Sequence, residues 1–239
     1  VVLCSGCTQR WPAMRKIIPG ILLIVAVIGL QPLCADQLLP LDMSGVPAFD
    51  RAFMQPYSRS LEVGGTAFEL ASLLTPVLLL AEPADEYLRF ATMYGETLLT
   101  AYALKELGKH WFSRARPFLY YQDYPEEKIG EGDAYDSFPS GHATMAFAGA
   151  AFTSYVFATY HPDSVWKIPV TVASYSLAIA TAAMRVASGN HFPSDVLTGA
   201  LLGTLVGVGI PFLHRSLASQ QELTASVTPF GVAFRVALR

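Results

Sequence analysis

Apolar residues recur along most of this chain in long blocks separated by short polar breaks. The blocks at 66–81, 86–112, 142–160, 166–186 and 196–213 are 16 to 27 residues long. That is helix length rather than strand length. No sustained period-two alternation precedes residue 227 and no internal repeat is visible, so the pattern predicts an all-α fold with five helices. Residues 36–65 mix Pro, Gly, Asp and Ser with isolated apolar positions and read as a surface arm holding one short helix at most. Residues 117–137 read as a polar loop rich in Tyr and acids. The end of the chain differs. Val232, Phe234, Val236 and Leu238 alternate with Ala233, Arg235 and Ala237, a strand-like pattern, although the expectation for 216–239 is a tail with little structure. The helical bundle is thus bounded at 66–215.

The blocks lie close to the ~20 residues that span a bilayer. Composition points the same way: 52% of residues are hydrophobic and 15% charged, against about a quarter charged in a soluble domain. Gly199, Gly203 and Gly207 fall four apart, a small-residue stripe that lets helices approach closely. Arg89 and Glu96 argue against lipid exposure. The breaks at 82–86 and 161–166 hold no Lys or Arg, so the positive-inside rule orients nothing there. The balance favours a membrane-embedded bundle over a soluble exported one. A net charge of −3 gives no electrostatic footprint for nucleic acid.

The N-terminal region reads as a targeting segment. Met14-Arg15-Lys16 is a short basic start, 17–30 is a 14-residue apolar run, and Leu33-Cys34-Ala35 precedes Asp36. This is the order of a secretory signal, and the run is short for a span. Residues 1–35 are therefore expected to be leader and cleaved signal peptide, the alternative being an uncleaved N-terminal anchor. Residues 1–13 precede the first Met, and Cys4-Ser5-Gly6-Cys7 in that stretch is given no redox role. Cleavage after Ala35 would remove all three Cys and leave 13 basic against 19 acidic residues.

Three polar clusters interrupt the apolar pattern. In the first, Lys109 and Arg116 stand seven apart before Pro117. On a continuing helix they share a face, and two such cations could equally complement a helix C-terminus. In the second, Pro139-Ser140-Gly141-His142 opens an apolar helix. A turn with Gly before free helix N–H groups binds anions, but Ser140 could also be a plain N-cap. In the third, Arg185 ends a helix, Ser188-Gly189-Asn190 turns, and His191 and Asp195 flank Pro193 at the next helix start. A carboxylate there can hold one imidazole nitrogen and free the other as a nucleophile, or simply sit in a helix first turn. Together the clusters supply three cations, two histidines, a carboxylate and two helix N-termini, which is what a phosphoryl group requires.

Lys109–x6–Arg116-Pro117, Pro139-Ser140-Gly141-His142 and Arg185–x5–His191–x3–Asp195 resemble the three-part signature of the type 2 phosphatidic acid phosphatase and vanadium haloperoxidase superfamily, across residues 88–212. One position departs: Met184 stands where the family usually has Ser. The resemblance implies a phosphoric monoester hydrolase acting on a lipid phosphate or pyrophosphate in the bacterial envelope. His191 would attack phosphorus and form a phosphohistidine, Asp195 would orient it, and His142 would protonate the leaving oxygen. Lys109, Arg116, Ser140, Gly141 and Arg185 would hold the phosphate. No metal and no other cofactor is implied. Asp123, Glu126, Glu127, Glu131, Asp133 and Asp136 read as a solvated face rather than a cation site. The alternatives are an exported soluble-type phosphatase for small phosphomonoesters, a haloperoxidase, or a non-catalytic bundle.

Helix order also predicts sidedness. Two crossings separate the second and third clusters and none separates the first from the second, so all three share one face. With the chain start directed across the membrane, that face is the periplasmic one.

Overall fold

The structure is a computed structural model that describes residues 40–81, 86–220, 223–228 and 231–236. The signal segment and the three Cys lie outside the described residues.

Five long helices and two short ones make the bundle. They are α1 (Ala48–Arg51), α2 (Arg59–Leu73), α3 (Tyr87–Trp111), α4 (Glu126–Gly130), α5 (Gly141–Tyr160), α6 (Lys167–Ala187) and α7 (Pro193–Gln220). A 3₁₀ turn at Thr75–Ala81 extends α2, and another, Pro117–Tyr120, follows α3. The sequence reading placed the long helices well, with two corrections. First, α2 begins at Arg59, inside the stretch expected to be a surface arm. That stretch is in part core: Val46 and Met54 pack on Phe192, and Asp50 is buried. Its isolated apolar residues belong to turns and a four-residue helix, which carry no 3.6-residue period to read. Second, the tail is structured. Leu223–Thr228 (β1) pairs antiparallel with Gly231–Val236 (β2), with Val227 opposite Val232. The described part of the alternation beyond Pro229, Val232 to Val236, lies in β2, and α7 continues past the internal Pro211 to Gln220.

Helix α5 is the axis. None of its residues is exposed, and it packs against α7, α6, α2 and α3. Its buried positions are mostly small: Ala143, Ala146, Ala148, Gly149, Ala150 and Ala151. Small side chains let backbones approach. A Cβ on Gly199 would lie 2.6 Å from the Ser140 carbonyl oxygen, and one on Gly207 would lie 2.5 Å from that of Ala148. The large apolar side chains point outward instead, including Leu70, Leu74 and Val77 near α2, Ile168, Val172 and Ile179 on α6, and Leu197, Leu201 and Leu205 on α7. Small inside and large apolar outside is a bundle solvated by lipid, since a soluble monomer rarely exposes so much apolar surface. Three segments, Arg59–Leu79, Lys167–Ala187 and Pro193–Leu217, are long and apolar enough to cross a membrane. The fold is an all-α, membrane-embedded bundle carrying a C-terminal β-hairpin.

The contacts give the helix directions. Thr66 meets His142 and Thr75 meets Thr153, so α2 runs parallel to α5. Tyr94 meets Phe152 and Phe90 meets Tyr160, so α3 runs antiparallel. Tyr175 meets Phe147 while Arg185 acts on His142, so α6 is antiparallel too. Gly199 lies on Thr144 and Gly207 on Ala151, so α7 is parallel. One end of the bundle therefore gathers the N-termini of α2, α5 and α7 and the C-termini of α3 and α6.

Candidate active site

All three polar clusters meet at that end. Lys109 and Arg185 occupy the last turns of α3 and α6, where cations oppose the helix macrodipole. Arg116 arrives by a different route from the one its spacing suggested. α3 stops at Trp111, and the next residues are extended. The Arg114 N–H donates to the Tyr135 carbonyl oxygen at 2.7 Å, the Arg116 N–H to that of Ala134 at 2.9 Å, and the Ser137 N–H to that of Arg114 at 3.0 Å. A parallel bridge, Arg114 to Asp136, thus joins the two limbs of the 112–140 connection. Lys109 and Arg116 do not share a helix face, because this pairing satisfies the backbone that a continued helix would otherwise satisfy.

His191 is 2% exposed and its Nδ1 lies 2.8 Å from the Ser137 carbonyl oxygen. A carbonyl only accepts, so Nδ1 carries the proton and the Nε2 lone pair is free. Burial, then the fields of Arg116 and Arg185, push the His191 pKa well below the ordinary value, against the smaller opposite pull of the Ser137 carbonyl. The residue is a neutral, oriented imidazole.

Asp195 does not hold His191 directly. Its Oδ2 stands 4.0 Å from Nδ1. Instead that oxygen accepts from the Ser137 hydroxyl at 2.6 Å and the Phe192 N–H at 2.9 Å, while the Asp195 carbonyl oxygen accepts from the Ser140 N–H at 3.1 Å. Asp195 fixes the segment whose carbonyl fixes His191. Its other oxygen pairs with the Arg114 guanidinium, which also donates to Asp50 at 2.7 Å and Ser194 Oγ at 2.8 Å and lies over the Phe192 ring. Asp50 accepts in turn from the Ser194 N–H and hydroxyl. Sequence reasoning missed Asp50, Arg114 and Ser137. Arg114 carried a usable signal, being a charged residue two positions before Arg116. Asp50 carried none, because 144 positions separate it from Ser194.

The cations differ in how well they are satisfied. Arg116 donates to the Asp133 carbonyl oxygen at 2.9 Å, to Asp133 Oδ2 at 2.5 Å and to Asn190 Oδ1 at 3.3 Å. Asp133, whose side chain is still 42% exposed, is thus a solvated acid that also pairs with the site. Arg185 is 2% exposed, yet its Nε and Nη1 have no hydrogen-bond partner, and Glu62 Oε1 lies 3.7 Å from Nη1. The Ser140 hydroxyl is also buried and unpartnered. Native interiors leave few polar atoms in that state. The charge of Arg185 acts on both His142 and His191, so the buried guanidinium belongs to the same site as the two imidazoles.

Two glycines shape the cradle. A Cβ on Gly141 would lie 3.2 Å from Lys105 Cδ, which brings a fourth cation to the turn. Gly189 has φ +71°, and its Cβ would collide with the Gln55 carbonyl oxygen at 2.5 Å. Met184 is accommodated by α2, where a Cβ on Gly64 would meet its sulfur at 2.8 Å.

The family model described as the PAP2 superfamily matches residues 90–217. The chain belongs to the PAP2 superfamily. Lipid A 1-phosphatase of Porphyromonas gingivalis is 36% identical over 100 residues, 42% of this chain and 18% of that protein. Bacitracin transport permease protein BcrC of Bacillus licheniformis is 31% identical over 109 residues, 43% of this chain and 49% of that one. The match thus spans less than half the length of either relative. Two solved structures are similar at 22% identity. Aquifex aeolicus LpxE has a TM-score of 0.48 over 68% of this chain and 92% of its own. A transmembrane PAP2 type phosphatidylglycerolphosphate phosphatase from Bacillus subtilis has 0.49 over 71% and 84%. The PAP2 stretch holds every residue of the three clusters. Asp50, Glu62, Thr66 and Glu69, which also reach the site, precede it.

Proposed function

We propose that this protein is a phosphatase that releases inorganic phosphate from a lipid phosphate or pyrophosphate monoester through a phosphohistidine, without a metal. The observation that carries the reading is the pair of buried, unused donors, Arg185 and Ser140, gathered at the same end of the bundle as a neutral histidine with a free Nε2. A phosphate dianion supplies the acceptors they lack.

His191 Nε2 attacks phosphorus as the bond to the leaving oxygen breaks, and His142 gives that oxygen its proton. Water then attacks the phosphohistidine, returning a proton to His142 and freeing His191. Charge on the phosphoryl oxygens is met by Arg185, Arg116, Lys109 and the first-turn N–H groups of α5. This is the stabilisation a metal would otherwise provide. A lipid substrate is supported by the apolar exterior of the bundle and by its relatives, four of which are lipid A phosphatases.

The purified protein should hydrolyse members of a panel of phosphatidate, phosphatidylglycerol phosphate, undecaprenyl pyrophosphate and lipid A phosphates faster than small phosphomonoesters. Vanadate should compete, EDTA should have no effect, and His191→Ala should abolish turnover. Preference for small esters would support the soluble-type alternative. EDTA inactivation reversed by Mg²⁺ would overturn the metal-free route. We also place the site on the periplasmic side. Single Cys residues at 120–132 in a Cys-free background should react with an impermeant maleimide in intact spheroplasts. Labelling only after lysis would reverse that orientation.

A further inference from the structure

His142 has a neighbour that the three clusters do not include. Its Nε2 lies 3.1 Å from Thr66 Oγ1 and 3.4 Å from Glu69 Oε2, both on α2. The Thr66 hydroxyl donates backward to the Glu62 carbonyl oxygen at 3.2 Å, so its lone pairs are what Nε2 meets. Nε2 is therefore the protonated nitrogen, with two acceptors from one helix. That leaves Nδ1 for the substrate. It also meets an electrostatic difficulty. Arg185 from α6, Arg116 from the extended segment and Lys109 and Lys105 from α3 all act on His142, and His191 lies close enough to be affected by it. Burial opposes an imidazolium first, and the four cations oppose it further. An acid must hold its proton until the leaving oxygen takes it. Glu69 is the carboxylate in contact with this ring, and its own field partners are Arg185 and Lys105.

We propose that Glu69 is a positioning residue for the general acid: it orients His142 through Nε2–H and sets a carboxyl group against the ring in a cationic pocket, so that Nδ1–H is delivered to the leaving oxygen. This rests on the phosphatase reading above. In the step, Nε2 of His191 bonds to phosphorus, the phosphorus–oxygen bond breaks, and the Nδ1 proton passes to the departing oxygen. His142 ends neutral and still bonded through Nε2–H to α2. In the second half the attacking water's proton goes to Nδ1 and the phosphorus–His191 bond breaks. The arrangement explains why α2, outside the PAP2 stretch, presents Thr66 and Glu69 one helical turn apart toward the site.

The test compares Glu69→Gln and Glu69→Asp with wild type and His142→Ala on phosphatidate, a poor leaving group, and on p-nitrophenyl phosphate, a good one. Glu69→Gln should lower kcat on phosphatidate by roughly 10- to 100-fold, part of the roughly 10²- to 10⁴-fold a general acid supplies. The loss on p-nitrophenyl phosphate should be several-fold smaller, with KM little changed. Losing an opposite charge beside the ring should also move the basic limb of kcat down by about one pH unit. Glu69→Asp should recover part of both effects, which loss of packing would not allow. Should Glu69→Gln not fold, Thr66→Val should show the same selectivity in smaller degree. Equal losses on both esters with an unmoved basic limb would overturn the proposal. If His142→Ala is itself unselective, the acid assignment fails. If His142→Ala is selective and Glu69→Gln is not, only the role of Glu69 fails.

Discussion

Arg185→Met separates stability from function at one position. The native guanidinium is 2% exposed and leaves Nε and Nη1 without partners. Each unsatisfied buried donor costs about 1–3 kcal/mol. The thioether chain fills similar volume with no donor, so the ligand-free variant should be more stable by a few kcal/mol at most, less whatever Glu62 at 3.7 Å contributes. The same two donors become charge-assisted hydrogen bonds to the phosphoryl group, worth roughly 1.5–3 kcal/mol each. Losing both should lower kcat/KM by about 10²- to 10⁴-fold. Vanadate provides the cross-check. At 100 times its Kd it should stabilise wild type by about 2.7 kcal/mol and the variant hardly at all. The assays are thermal unfolding in detergent with and without vanadate, and initial rates on a lipid phosphate. A variant within tenfold of wild-type kcat/KM, or one that is less stable without ligand yet still stabilised by vanadate, would refute the idea that these donors are held vacant for phosphate.

Four further outcomes are expected. His142→Ala should slow alkyl phosphates more than nitrophenyl phosphate, because a poor leaving group depends more on its proton; equal losses would remove the acid role. Gly207→Ala should destabilise by about 1–3 kcal/mol, since its Cβ would lie 2.5 Å from the Ala148 carbonyl oxygen. Gly95→Ala, in open space on α3, should be neutral or gain up to about 1 kcal/mol, and thermal unfolding of the pair checks both. Because His191 is held neutral by burial, its contribution to stability is full above about pH 6.5 and is lost as pH falls below that, by up to about 1.4 kcal/mol per unit. His191→Asn should flatten that part of the acid limb, as read by unfolding midpoints at pH 7.5 and 5.

Much of this protein is determined locally. Long apolar blocks can satisfy their backbone only as helices, so the five long helices and most of their boundaries follow from hydrophobic period and length alone, whereas the two short helices and the hairpin do not. The stripe Gly199, Gly203, Gly207 already marks the face on which α7 meets α5. The three clusters are legible because their residues sit close together at helix ends, and the order of crossings brings them to one end of the bundle. The physics that escapes the sequence is non-local. A helix face was the natural reading of Lys109 and Arg116, yet the backbone pairing of Arg114 with Asp136 ends α3 and brings Arg116 to the site in an extended segment. The spacing of His191 and Asp195 suggests a direct pair, whereas the tertiary structure interposes Ser137, whose carbonyl sets the tautomer. Asp50, Glu62, Thr66 and Glu69 lie on segments with no chemical pattern of their own. They become site residues only because α1 and α2 pack against α7, α5 and α6. Proximity across 76 residues, as between Thr66 and His142, is a property of packing, and no window along the chain contains it.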